Sequence, residues 1–364
     1  MHAPANLNRT LAFLIVLVAG LAAQAAAQQK SVKAAAPAAP AGKPVAYRDP
    51  GDISKLDLRS GPGSAELAPA APFTFVAEDA VGASPKITVK DSKGVTWSVK
   101  TGVEAQAETV ATRLLWAMGY YSEEAYYLDR AVVNNLPKKL ARGQEFVRDG
   151  ALVGARFEPR RANVERGPRW DWEENPFVGT REFNGLKVMM VVLGNYDTRV
   201  DNNTVFTARD EQTGELQARY YVSDVGATLG KVGGLGGKRS KNSLEDFRSS
   251  KFIEKVENGV VSFDYHTKPK GAGIFASLFK PSYGKSQAKK ERAMRQASVE
   301  DARWIGQRLS LLSDEQLRDA FRAANYDEAT REGFVQAIRQ RATMLAGLPA
   351  GSIASAQNPA QKED

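Results

Sequence analysis

Alternating apolar and polar residues predict a β-rich region that begins at Phe73. Ile87–Lys90 and Val95–Val99 alternate on either side of Asp91–Gly94, whose residues favour turns. Two alternating runs joined by such a turn are typical of a β-hairpin. A second hairpin is predicted at Arg148–Gly150. The N-terminal part of the folded chain is therefore expected to be a small lobe of short strands.

One helix is predicted within this lobe. From Glu104 to Met118 apolar residues recur at helical spacing, with Leu114 and Leu115 on the apolar face. Gly119 follows at the position where glycine commonly ends a helix.

From about Trp170 onward the pattern becomes mainly helical. The apolar run Leu186–Leu193 leads directly into a polar loop, and residues 297–346 predict two or three helices. Ser313 and Gln316 fit a capping box at the start of one of these helices. Strands first and helices later indicate an α+β fold with two lobes, which we place at 73–160 and 161–348.

The segments outside these lobes differ in composition. Residues 1–27 resemble a signal peptide, with Arg9 before the apolar stretch Leu11–Val18 and small residues after it. We therefore expect an exported protein, periplasmic or secreted. Residues 28–72 are rich in alanine and proline and predict a disordered linker, and residues 349–364 predict a disordered tail.

The residue types that are scarce exclude several mechanisms. The chain contains no cysteine and only two histidines, of which His2 lies in the predicted leader. Thiolate zinc sites, cysteine nucleophiles and redox couples are therefore excluded. A serine–histidine–aspartate triad would have to use His266, and no G-x-S-x-G motif is present.

The charge of the chain suits anionic partners. The formal net charge is +8, or +7 without a leader that contains Arg9. A nucleotide is the partner we expect, and no nucleic acid. The segment Gly273–Phe279, flanked by lysines, is a candidate contact with an anionic membrane surface or simply a buried segment.

Two short strings carry the candidate chemistry. Asp197 and Asn202 are five residues apart in the loop after Leu186–Leu193, and Asp224 follows Asn202 by 22 residues at the end of an apolar run. Phosphoryl transfer uses a carboxylate to accept the proton of the attacking hydroxyl, and an asparagine and an aspartate to hold magnesium. Asp197 is the candidate base, and Asn202 and Asp224 are the candidate metal ligands.

A phosphate-binding lysine and its partner precede these strings. Lys100 ends a predicted strand, and Glu108 on the following helix is the candidate that fixes its ammonium, with Glu104 as the rival. Upstream, Gly82, Ser84 and Lys86 are candidates for a phosphate-covering loop. In the absence of other information, each of these features is also compatible with an ordinary turn or a solvated helix start.

Taken in order, these residues resemble the cores of two kinase families. Asp197-x-x-x-Asp201-Asn202 with Asp224-x-Gly226 resembles the D-R-x-x-D-N and D-F-G loops of phosphoinositide-kinase-like enzymes. Gly82–Lys86, Lys100 and Glu108, with Gly119 eleven residues later, resemble the N-lobe of HipA-like bacterial serine kinases.

The resemblance covers roughly residues 80–230 and implies a two-lobed protein-kinase-like fold with ATP and magnesium in the cleft. The acceptor would be a hydroxyl group of a protein, a lipid head group or a sugar.

The motifs also depart from both families. Thr198 replaces an arginine, and Val225 replaces the aromatic residue of D-F-G. Two alternatives therefore stay open. One is a pseudokinase that binds but does not catalyse. The other is a basic envelope protein that binds anionic polymers or lipid through residues 231–295.

Overall fold

The computed structural model describes five stretches of the chain, which are residues 40–79, 84–160, 165–233, 239–267 and 291–349. The predicted leader, the C-terminal tail from residue 350, Gly82 and the lysine-flanked segment Gly273–Phe279 lie outside these stretches. From Ala41 the chain forms a single folded unit.

The N-terminal lobe is built on a closed sheet. Its strands are β2 (Phe73–Asp79), β3 (Lys86–Lys90), β4 (Thr96–Thr101), β6 (Tyr126–Asn134) and β8 (Ala151–Arg160). The strands β1 (Lys43–Val45) and β5 (Tyr121–Ser122) belong to a second sheet. They pair in the order β4-β3-β2-β6-β8, and β8 pairs again with β4, so the sheet closes on itself. β7 (Val147–Arg148) adds to β8. Apolar side chains such as Val99 and Phe157 fill the interior.

The predicted hairpins exist in this lobe. β3 and β4 are antiparallel across the Asp91–Gly94 turn, and β7 and β8 are antiparallel across the second turn. The predicted helix is α1 (Glu104–Ala117), which packs between the outer face of the closed sheet and the C-terminal core, so nearly all of its residues are buried.

A second sheet links the two lobes. The hairpin of β10 (Asn203–Arg209) and β11 (Leu216–Val222) forms its centre, with β9 (Glu165–Arg166) beside β10. Two short strands pair in parallel with β11, which are β1 (Lys43–Val45) and β5 (Tyr121–Ser122).

The rest of the C-terminal lobe is mainly helical. Its helices are α2 (Arg181–Leu193), α3 (Leu244–Arg248), α4 (Val299–Ser310), α5 (Asp314–Arg322) and α6 (Glu328–Ala346). A small sheet of β12 (Ile253–Glu257), β13 (Val260–Phe263) and β14 (Gln296–Ser298) lies among them. Ser313 and Gln316 form the predicted capping box of α5. Among the described helices, none has both the length and the apolar character that crossing a membrane requires.

The predicted fold class is confirmed. The protein is α+β, with a β-rich N-terminal lobe that contains one described helix and a mainly helical C-terminal lobe, consistent with the two-lobed arrangement of kinases.

The predicted linker over 28–72 is wrong for residues 41–72. Lys43–Val45 pairs with β11, and Ile53 and Leu58 are buried in the main core. The side chain of Gln316 also donates hydrogen bonds to the carbonyls of Ile53 and Leu56. The few apolar residues of this segment are enough to dock it, because the rest of the chain supplies the surface on which they pack.

Candidate functional site

Lys100 lies on the face of the closed sheet that α1 covers. Side chains alternate along a strand, so Val99 points into the interior and Lys100 points outward under the helix. The strand register places Lys86 and Arg156 directly opposite Lys100 on its two neighbouring strands. Three basic residues thus form one row across the sheet.

Three carboxylates surround the Lys100 ammonium. Its Nζ lies 2.7 Å from Glu108 Oε2, 3.0 Å from Asp224 Oδ1 and 3.2 Å from Glu104 Oε2. The Lys100 side chain is only 1% exposed. Both glutamates proposed from the sequence therefore reach the lysine, and Glu108 lies closer and deeper than Glu104. The contact with Asp224 joins positions 124 residues apart in the chain.

The charges of this cluster stabilise Lys100 and Asp224, whereas at Glu108 burial outweighs the two cations and raises the pKa. Burial lowers the pKa of the Lys100 ammonium, but the carboxylates of Glu108 and Asp224 outweigh burial, so the net shift is upward. Burial would raise the pKa of Asp224, yet Lys100, with Lys86 and Arg156 at longer range, lowers it to about 2. Asp224 is therefore ionised at neutral pH.

A second cation, Arg156, also contacts Glu108. It was not among the residues predicted from the sequence. Its Nε lies 3.3 Å from Glu108 Oε2, and its Nη1 lies 2.7 Å from Glu158 Oε2. Burial lowers the pKa of Arg156, but the two glutamates raise it above its usual value. Nothing in the local sequence identifies Arg156, because its position beside Lys100 depends on the pairing of β4 with β8.

The β10–β11 hairpin brings the two polar loops together. Asn203 at the start of β10 is opposite Val222 at the end of β11, so the residues just outside the hairpin are neighbours. The backbone N–H groups of Ser223 and Asp224 donate to the carbonyl of Asn202 at 2.9 and 3.3 Å. The backbones of the candidate metal ligands Asn202 and Asp224 are thus held side by side.

Asn202 is oriented by the loop that it belongs to. Its Nδ2 donates to the carbonyl of Asp197 at 2.7 Å, and the residue is 5% exposed. The amide nitrogen is committed to this bond, so Oδ1 is the atom left to bind a metal. The Asp224 side chain is 39% exposed and offers carboxylate oxygen. Amide and carboxylate oxygens are ligands that suit Mg²⁺, so this pair fits that ion.

Asp197 is accessible but already has a partner. Its side chain is 29% exposed, and both of its carboxylate oxygens accept hydrogen bonds from Arg199, at 2.6 and 3.0 Å. Arg199 was also not among the site residues predicted from the sequence. A basic residue two positions after a candidate catalytic aspartate was the available signal.

Residues from two other segments of the chain contact Glu104 at the edge of the Lys100 cluster. Ser84 Oγ donates to Glu104 Oε2 at 2.7 Å, and the ammonium of Lys241, from the loop after Asp224, pairs with Glu104 Oε1. Together with Lys100, these contacts lower the pKa of Glu104 to about 2 against the effect of burial. Ser84 and Lys86 thus border the cluster, whereas Gly82 lies outside the described residues.

All the described candidates border one region between the lobes, and their catalytic, nucleotide-binding and metal-binding roles stay predictions. The arrangement places fixed ammonium and guanidinium charges beside two oxygen ligands and an accessible carboxylate. Such a set can hold the phosphates of a nucleotide and a metal ion and can orient a hydroxyl group.

Comparison with known proteins found one distant likeness. No protein-family model matches the chain, and no curated protein matches its sequence. The structure is similar to the crystal structure of the proinflammatory kinase CtkA of Helicobacter pylori, at a TM-score of 0.32 and 11% identity. The match covers 75% of this chain and 97% of that chain. A likeness at this TM-score carries no argument about activity.

Proposed function

We propose that this protein is a kinase-like phosphotransferase that moves a phosphoryl group from ATP, with Mg²⁺, to a hydroxyl group. The observation that supports it most is the meeting of Lys100 with Glu108 at 2.7 Å and with Asp224 at 3.0 Å. A lysine fixed by a helical glutamate beside a metal-binding aspartate is the arrangement that positions phosphates in kinases.

Each polar group has a distinct task in this proposal. Lys100 holds the phosphates, and Glu108 fixes its ammonium. Asn202 and Asp224 hold Mg²⁺, which when bound neutralises the charge on the phosphates. Lys86, opposite Lys100, and Ser84 border the phosphate site.

Asp197 accepts the proton of the acceptor hydroxyl in this proposal. Its carboxylate oxygens each keep a lone pair beyond the bond to Arg199, so a hydroxyl group can still donate to it. Arg199 keeps the carboxylate in place and adds a positive charge beside the site. The acceptor, whether on a protein, a lipid head group or a sugar, would approach from the exposed side of Asp197.

We also propose that the protein is exported, and this proposal rests only on the predicted signal peptide at residues 1–27. An N-terminal sequence of the mature protein that begins after about residue 27 would support it, and a cytosolic protein that retains Met1 would contradict it. The proposed activity does not depend on this point, because the purified chain can be assayed directly.

Transfer from labelled ATP tests the activity. The full chain is incubated with ATP and Mg²⁺, alone and with protein, lipid and sugar pools, and labelled products are separated. We expect transfer that falls about 10²- to 10⁴-fold in Asp197→Asn, which removes the proton acceptor. Asp149→Asn in the exposed β7–β8 turn should transfer at the wild-type rate.

Two results would contradict the proposal. An Asp197→Asn variant with the full rate would remove Asp197 from catalysis. If the wild-type chain binds ATP but transfers nothing to any pool, the protein is a pseudokinase instead.

A further inference from the structure

A second cluster of charged side chains lies in the C-terminal lobe, away from Lys100. Glu254 in β12 and Asp264 and His266 after β13 bring one ligand atom each within 4.8 Å of one another. Glu291 lies against His266. The proposed phosphoryl transfer does not use these side chains.

The imidazole of His266 is held in one orientation. Its Nδ1 lies 3.0 Å from Glu291 Oε1, and Glu291 also accepts from the hydroxyl of Thr267. The backbone N–H of Thr267 donates to the same carboxylate. In this carboxylate–histidine pair Nδ1 is the nitrogen that donates, as it is behind many metal ligands.

Among the described residues, the other ring nitrogen of His266 has no hydrogen-bond partner. Nε2 is buried, and the His266 side chain is only 11% exposed. Asp264 Oδ1 is 3.7 Å from Nε2, which is beyond hydrogen-bonding distance. A buried lone pair without a partner is unfavourable, so the geometry calls for something that binds Nε2.

Asp264 and Glu254 each have one carboxylate oxygen that a protein group contacts. Asp264 Oδ2 accepts from the backbone N–H of Lys251 and lies 3.5 Å from Lys231 Nζ, which leaves Oδ1 facing His266. Glu254 Oε2 pairs with Arg295, which leaves its other oxygen free of protein donors among the described residues. Protein donors thus hold one oxygen of each carboxylate, as in the outer shells of metal sites.

We propose that His266, Asp264 and Glu254 form a binding site for Zn²⁺. Ligand atoms at about 2.0–2.2 Å from a tetrahedral Zn²⁺ lie roughly 3.3–3.6 Å apart, so Nε2 and Oδ1 at 3.7 Å need to approach by only a few tenths of an ångström. The ligand oxygen of the exposed Glu254 lies within 4.8 Å of both and closes the remaining gap by a change of rotamer. One imidazole and two carboxylates suit Zn²⁺ better than Mg²⁺, which prefers oxygen. The Glu291 contact supplies the carboxylate–histidine pair common behind zinc ligands.

The ion would tie β12 to the residues that follow β13. Asp264 and His266 also line a cavity of about 20 Å³ together with Gly194 and Tyr196, which connect α2 to the Asp197 loop. A metal here would therefore stiffen the base of that loop. The proposal is independent of phosphoryl transfer, because its ligands lie outside the Lys100 cluster.

Zinc titration of the metal-free full chain tests the site. The chain is prepared in a His2→Gln background, so that His266 is the only imidazole, and Zn²⁺ alone is titrated by calorimetry at pH 7.5. We expect one ion per chain and a thermal unfolding midpoint that rises with Zn²⁺. His266→Gln should weaken binding by about 100-fold or more and remove the rise.

Two further variants distinguish a loss of Zn²⁺ binding from a loss of folding. Glu291→Gln keeps all three ligands and should weaken Zn²⁺ binding by about 10- to 100-fold, the usual effect of losing an outer-shell partner. Glu257→Gln, on the same strand but outside the cluster and paired with Lys255, should bind Zn²⁺ as the parent does.

Three results would overturn the proposal. The first is that the parent chain takes up no Zn²⁺. The second is that His266→Gln binds Zn²⁺ with unchanged affinity. The third is a nitrogen NMR spectrum in which Nε2 of His266 stays protonated at pH 7.5 with Zn²⁺ present, which would make the residue an ion-pair bridge between Asp264 and Glu291.

Discussion

Lys100 carries its charge where almost no water reaches it. An isolated buried ammonium would be strongly unfavourable, so its presence depends on the carboxylates that contact it. Glu108 is the partner shared with Arg156, and both cations lie under α1. The removal of the Glu108 charge therefore takes away the anion between two buried cations. These cations keep their outer partners, which are Glu104, Asp224 and Glu158.

We predict that Glu108→Gln destabilises the protein by about 3–5 kcal/mol, the usual cost of leaving buried charges without their partner. Denaturant unfolding of the purified variant measures this. Glu211→Gln in the exposed β10–β11 turn is the control and should change stability by less than about 0.5 kcal/mol. A loss below about 1 kcal/mol in Glu108→Gln would show that the cluster does not bear on stability.

The same cluster predicts a loss of stability in acid. Lys100 and its neighbours lower the pKa of both Glu104 and Asp224 to about 2 in the folded state. A lowered folded pKa contributes stability above the unfolded value, near pH 4, and that contribution is lost as the pH falls toward 2. Unfolding free energies between pH 6 and 2 should decline less in Glu104→Gln than in the wild type. Equal slopes would contradict the assigned shifts.

The sequence identifies some of these residues and cannot identify others. Lys100 and Glu108 follow from a strand, a helix and their spacing, all of which are local. Arg156 and Arg199 gain their roles from partners set by strand pairing and loop shape. A single sequence carries no signal for contacts that depend on the register between distant strands.

Among the elements, the end of α2 sets where the Asp197 loop begins. Gly194 has a φ of 65°, and a Cβ there would lie 2.9 Å from the carbonyl oxygen of Gly230. The buried guanidinium of Arg341 donates to the carbonyls of Val191 and Val192, the last turn of the helix. The Asp197 loop therefore starts from a helix end that is capped by α6.

We predict that Gly194→Ala destabilises the protein more than Gly214→Ala. Both glycines have a φ near 70°, so alanine costs each about 1 kcal/mol in strain. Only at Gly194 does the added Cβ meet backbone, whereas nothing lies within 4 Å at Gly214. We expect Gly194→Ala to lose at least about 1 kcal/mol more in denaturant unfolding. Equal losses in the two variants would mean that the loop adapts to the methyl group.

Element prediction succeeded where the signals are local. Period-two alternation and turn residues located the β3–β4 hairpin, and a capping box located the start of α5. Prediction failed for residues 41–72, which look like a linker by composition. Their strand Lys43–Val45 is stabilised by pairing with β11, about 170 residues away, and not by any pattern of its own.

At the scale of the whole molecule, the two lobes are joined through the candidate site. Asp224 and Lys241 belong to the C-terminal lobe, and they pair with Lys100 and Glu104 of the N-terminal lobe. Gln106 on α1 also donates to the carbonyls of Ala324 and Asn325. A nucleotide bound between the lobes would meet charges from both of them, so its binding should depend on Asp224 even though Lys100 is in the other lobe.

Calorimetric titration of the full chain with ATP, with and without Mg²⁺, tests most directly whether this cluster is a nucleotide site. We predict that Mg²⁺ tightens ATP binding by about tenfold or more in the wild type, because Asn202 and Asp224 hold the ion against the phosphates. Asp224→Ala should lose this dependence on Mg²⁺, while Asp149→Ala in the exposed β7–β8 turn should retain it. If the wild type and Asp224→Ala bind ATP with the same affinity in Mg²⁺, the cluster is not a nucleotide site.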